Sequence, residues 1–127
     1  YAASGLNSGA VEANDGTFNN AISMFTGSTG NVNVIVNTGG VAQAAMTPAG
    51  GVAAGTIFRV AAAYQANNFA SSANGLTTVT DASGTVPTVN QLVIGCIAGG
   101  QYLNGHIRSL RYYPQRLPNA TLQGMTA

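Results

Sequence analysis

The chain has no lysine and no tryptophan, one cysteine, one histidine, four arginines and three acidic residues in 127 positions. Each scarcity closes off a class of function. Without lysine there is no phosphate loop of the Walker kind, so the glycine pairs Gly39-Gly40, Gly50-Gly51 and Gly99-Gly100 do not cradle a nucleotide. Cys96 has no second cysteine to bridge with and founds no zinc cluster; inside "LVIGCIAGG" it reads as a small apolar strand residue. A net charge of +1, carried by Arg59, Arg108, Arg111 and Arg116, cannot neutralise a run of phosphates, which argues against nucleic acid or an anionic membrane as the main partner. No stretch approaches the roughly 20 apolar residues of a membrane-spanning helix, and no basic segment followed by an apolar run marks a signal peptide.

Shortage of acid bears on catalysis in the same way. Glycoside hydrolysis needs two carboxyl groups facing each other across the scissile bond, and the chain holds only Glu12, Asp15 and Asp81, the first two in a stretch that reads as loop. A serine or cysteine nucleophile needs a histidine and an orienting acid, and His106 has no acid near it in sequence. A calcium site needs several converging oxygens, which three scattered acids do not provide. The sequence therefore assigns no catalytic residue, no metal ligand and no cofactor.

What is abundant points to a folded, associating domain. Hydrophobic residues make up 46% of the chain and charged residues 6%, against a usual charged share of about 25%. Disorder needs low hydrophobicity together with high net charge, and both conditions fail. A surface this poor in charge is badly protected against association, so part of it is expected to meet other subunits. One domain over 1–127 is expected, since no linker or charge run divides the chain.

Apolar residues alternate over short runs punctuated by glycine and asparagine, the pattern of strands. "NVNVIVNTGGVAQAAM" puts Val32, Val34 and Val36 on one face, turns within Asn37 to Gly40, and returns through Val41 as an antiparallel hairpin. "TFNNAISMFTG" reads as a strand with Ile22 and Met24 on one face. "TIFRVAAAYQ" reads as a long strand burying the face of Phe58, Val60, Ala62 and Tyr64 and leaving Arg59 near solvent or an edge, and Asn74-Gly75 forms the next hairpin turn. The loop at Pro87 precedes a compact strand from Gln91 to Ile97. Asn104-Gly105 then predicts a turn into a bulged strand through Ile107, Leu110, Tyr112 and Tyr113. Pro114 ends it, and a short helix over 118–124 has Pro118 at its first position, with Leu122 and Met125 inward, about one turn apart, and Gly124 capping it. Turns every 8 to 12 residues or so predict an all-β sandwich of two antiparallel sheets.

The ending "GHIRSLRYYPQRLPNATLQGMTA", the hairpin "GTIFRVAAAYQANNFASSANG" and the strand "TVPTVNQLVIG" resemble the concanavalin A-like lectin/glucanase domains of the laminin-G-like type, found at the C-termini of bacteriophage and prophage tail and other virion proteins. "NDGTFNNAISMF" resembles the family's early strand more loosely. Pro118 departs from the serine or threonine usual there, and the family's first strand begins earlier than Tyr1, so a longer natural chain is expected. The resemblance implies a jelly-roll sandwich in a virion component assembled in the bacterial host cytoplasm, serving particle construction or adhesion. The acidic strand of the related glucanases has no counterpart here.

The residues with adhesive chemistry are Asn67, Asn68, Asn74, Tyr102 and Asn104, whose amides and ring are the groups that read neutral sugar hydroxyls. The same asparagines are also what the turns require. Arg108 and Arg111 read as structural, stacking on tyrosines or pairing with an acid such as Asp81. Tyr113-Pro114 is expected to pack at the end of the sandwich, and the Asn119-Ala120-Thr121 sequon to be coincidental. The expected partners are other virion subunits, including further copies of the chain, with a glycan as the alternative.

Overall fold

In the computed structural model, which describes residues 7–127, the alternating runs become ten strands and one helix. In chain order they are β1 (Ser8–Asn14), β2 (Ala21–Thr26), β3 (Val32–Thr38), β4 (Val41–Ala49), β5 (Val60–Ala63), β6 (Phe69–Ala73), β7 (Val79–Asp81), β8 (Gln91–Ile94), β9 (Cys96–Ile97), β10 (Gln101–Tyr102) and α1 (Asn119–Thr126). Every ladder is antiparallel. A five-stranded sheet has the order β4-β3-β2-β1-β8, a three-stranded sheet the order β5-β6-β7, and β9 and β10 form a separate pair. The chain is thus all-β, as expected, with three sheets among the described residues in place of two.

The two larger sheets face each other across one core. Ile22, Val34, Val36, Ala44 and Met46 project from the first sheet and Phe69, wholly buried, from the second, with Val60, Ala62, Tyr64 and Val79 packed against them. The β3–β4 hairpin forms as the sequence predicts, turning at Gly39-Gly40. Both tyrosine hydroxyl and ring matter at the margin: burial, and then the neighbouring Tyr112 phenol, push the Tyr64 hydroxyl above its usual 10.0.

Several expectations change. The predicted strand around β5 is shorter, because residues 65–68 turn back through a Gln65–Asn68 backbone pair. Arg59 is exposed, as expected, while Ala61 and Ala63 on the second face pack with Ala70, Leu117 and Leu122, beneath α1. The single strand expected from Gln91 to Ile97 breaks at Gly95, whose φ of 81° turns β9 out of the ladder. β9 then folds across β1 at Gly9, where a side-chain carbon would collide with the Ile97 amide and the Gln101 carbonyl. Only glycine lets the pair lie that close.

The largest difference is the closing strand. Residues 104–117 form no strand and exchange no backbone hydrogen bond with any described residue, and Ile107, Leu110, Tyr112 and Tyr113 are exposed. Arg108 and Arg111 interrupt the apolar residues of this run, so a strand here could not be buried on both faces without burying an arginine. The helix follows, but Pro118 caps it from outside, Gly124 lies within it, and Thr126 is buried where Met125 was expected.

Candidate functional site

The five sequence-selected ligand residues fall in three places. Asn67 and Asn68 lie in the β5–β6 turn. Asn67 adopts a φ of 57°, its amide oxygen accepts the Gly84 N–H at 3.0 Å, and its own N–H donates to the Gly84 carbonyl at 2.9 Å. The Asn68 N–H donates to the Gln65 carbonyl at 2.9 Å. Asn74 sits at the other end of β6, about 17 Å away for a five-residue strand. Its φ is 50°, its amide oxygen accepts the Arg59 N–H at 2.9 Å, and its N–H donates to the Arg59 carbonyl at 3.0 Å. Tyr102 and Asn104 lie at β10 and the bend after it, both exposed. These residues do not converge on one site. The amide oxygens of Asn67 and Asn74 are committed to turns, so Asn74→Ala should cost about 1 kcal/mol in urea unfolding by losing a hydrogen bond and a tolerated left-handed residue.

A different constellation is assembled on β1, where the sequence reads as loop. Val11 and Ala13 point toward the core and Glu12 and Asn14 toward the opposite face, so the segment is a strand and Glu12 is 1% exposed. One carboxylate oxygen accepts Asn14 Nδ2 at 2.6 Å; the other accepts Ser23 Oγ at 2.7 Å and the Ala98 N–H at 3.1 Å. Asn14 Oδ1 in turn accepts Gly16 N–H at 2.9 Å and Gln91 Nε2. This network ties β1, β2, β8 and the turn after β9 together. Above it lies a recess of about 240 Å³, walled by Glu12, Asn14, Thr17, Phe18, Gln91 and Val93. The readable signal was the apolar-polar alternation of "AVEAN"; its polar half concealed it.

Other ionisable groups are held apart from this network. Asp15 accepts Thr17 Oγ1 at 2.7 Å and Asn20 Nδ2 at 2.8 Å, and these bonds, Thr17 first, hold its carboxyl below the usual 3.8. A depressed carboxyl adds stability above its unfolded value and loses it as pH falls through the folded one. Asp81 accepts the N–H and the hydroxyl of Ser83, and pairs with neither Arg108 nor Arg111 as the sequence reading allowed. Arg116 donates to the Leu117 carbonyl at 2.8 Å and to Asn119 Oδ1 at 2.6 Å, fixing the start of α1. Tyr113 is 42% exposed and does not pack as expected at an end of the fold.

Several large apolar side chains are exposed. Leu92 and Ile94 of β8 are 55% and 59% exposed, and Tyr102 and Tyr112 are 69% and 75% exposed. Leu92 and Ile94 stand opposite Ala13 and Val11, on the sheet face that elsewhere forms the core. The second sheet has only three strands against the first sheet's five, and it does not extend over them.

No protein-family model matches the chain, and no curated protein does. Among solved structures it is similar to an S-layer domain-containing protein from Clostridium thermocellum, with a TM-score of 0.51 at 16% identity, over 92% of this chain and 61% of that one. The chain spans about three fifths of the solved chain, and likeness at this identity is one of fold.

Proposed function

We propose that the chain is a non-enzymatic structural module of a bacteriophage particle, which associates with other virion subunits through a largely uncharged face. The observation that carries the reading is the exposure of Leu92, Ile94, Tyr102 and Tyr112 on a chain with only four arginines and three acids. Large apolar side chains exposed in number favour an interaction surface, and charges this few cannot direct assembly. The likeness of residues 105–127 to the closing pattern of the phage domains supports a place in a virion, and with it a concanavalin A-like jelly roll built from the two facing sheets. Three carboxylates held in separate local networks agree with a role that makes or breaks no bonds.

Adhesion to a glycan is the second reading, favoured by the recess over Glu12, where Asn14, Thr17 and Gln91 stand beside the ring of Phe18. Imaging of the intact particle separates the two. The assembly reading expects neighbouring subunits to cover Leu92, Ile94 and Tyr102. A domain standing alone at a distal tip, with a glycan-array signal abolished by Phe18→Ala or by Tyr102→Ala with Asn104→Ala, would make adhesion the function.

A further inference from the structure

We infer that two copies of the chain pair edge to edge along β8, joining their five-stranded sheets into one about a two-fold axis. This rests on the assembly reading and gives it a partner, a strand and a register. The two edges of the five-stranded sheet are guarded differently. β4 carries Pro48, slips register twice against β3, and lies beside the loop after β7, where Gln43 Oε1 accepts the Thr85 N–H at 3.0 Å. A kinked, proline-bearing and partly covered edge refuses a further strand. β8 has none of these protections. It pairs with β1 in unbroken register from Gln91 to Ile94, its other side pairs with no strand among the described residues, and "QLVI" contains neither charge nor proline.

An edge strand with unpaired N–H and C=O groups is a template for another strand, and a second copy fits it without any further matched surface. A two-fold axis normal to the sheet must set each face against its like. With the axis at Val93, that residue opposes Val93 of the second copy, while Leu92 opposes Ile94 and Ile94 opposes Leu92. The two exposed apolar side chains of the strand then cover each other across the join, as cross-strand apolar pairs do. A net charge of +1 leaves little repulsion between copies.

Two measurements on the whole chain test this. In a Cys96→Ser background, Val93→Cys places two thiols on residues whose Cα atoms stand about 4.5 to 5.5 Å apart in such a pair, inside the disulfide range. Mild oxidation should yield a covalent species of twice 12.7 kDa, while Leu76→Cys, exposed in the loop between β6 and β7, should not. Separately, Leu92→Lys with Ile94→Lys should convert the dimer to a monomer with an unchanged circular dichroism spectrum; if that variant unfolds, the cross-link decides. Equal cross-linking at positions 93 and 76 overturns the inference, as does a folded lysine variant that stays dimeric. Salt-resistant association that survives the lysines would remove β8 and leave the assembly reading standing, whereas a wild-type monomer that binds a defined sugar removes both.

Discussion

Truncation after Pro114 should lower the melting temperature by about 10 °C, the equivalent of about 3 kcal/mol for a domain of this size. The cost follows from what α1 covers. Leu122 is 2% exposed and fills the space over Ala63 and Ala70, and large-to-small loss at such a site alone is worth about 2 to 5 kcal/mol. The helix is also latched by polar contacts: Thr126 Oγ1 accepts the Gly75 N–H at 3.1 Å and lies 3.1 Å from Ser72 Oγ, and Gln123 Nε2 donates to the Gly75 carbonyl at 2.9 Å. Removing them leaves the Ser72 side of β6 without its buried partner. Leu122→Ala in the full chain should reproduce most of the loss. A truncated protein that melts within about a degree of the intact one would show that α1 is not part of the folded unit.

Replacing Glu12 by alanine should cost about 3 kcal/mol in chemical unfolding. The side chain is buried and satisfies three donors at once, and each buried donor left without a partner costs about 1 to 3 kcal/mol. Part of that is offset because a desolvated charge disappears with it. Glu12→Gln separates the two effects: it keeps the volume and one carbonyl acceptor but offers an N–H where Asn14, Ser23 or Ala98 already donates. About half the loss should remain. Amide hydrogen exchange at Ala98 reports the mechanism directly, since the turn after β9 is held by that bond. Unchanged Ala98 protection in Glu12→Ala would mean the carboxylate does not anchor the turn.

Both predictions concern places where sequence and structure diverge instructively. The β2, β3 and β4 strands were legible because their alternation is clean: Val32, Val34 and Val36 face one way, and polar residues the other. The turns at Gly39-Gly40 and Asn74-Gly75 were legible because few other residues accept those backbone angles. Glu12 was not, because a carboxylate on a strand reads as solvent-facing until a second layer, here the turn at Ala98, lies over it. That layer forms by a long-range contact between positions 12 and 98, which periodicity does not record. The strand expected at Ile107 to Tyr113 failed for the converse reason. Its residue types favour a strand, but Arg108 and Arg111 interrupt the apolar residues, and tertiary burial outweighs propensity. Loop asparagines marked turn positions: the amide oxygens of Asn67 and Asn74 each accept a backbone N–H, a structural task that residue type alone does not separate from ligand binding.

The central claim is that association runs through uncharged surface, and mass as a function of salt tests it most directly. Exposed ion pairs are screened beyond about 8 Å at physiological ionic strength and about 3 Å at molar salt, whereas apolar burial is not weakened by screening. Light scattering on the chain should therefore give a mass above that of one copy, 12.7 kDa, in low salt and the same or higher in high salt. A complex that falls apart as salt is raised, or a single copy under both conditions, would contradict it.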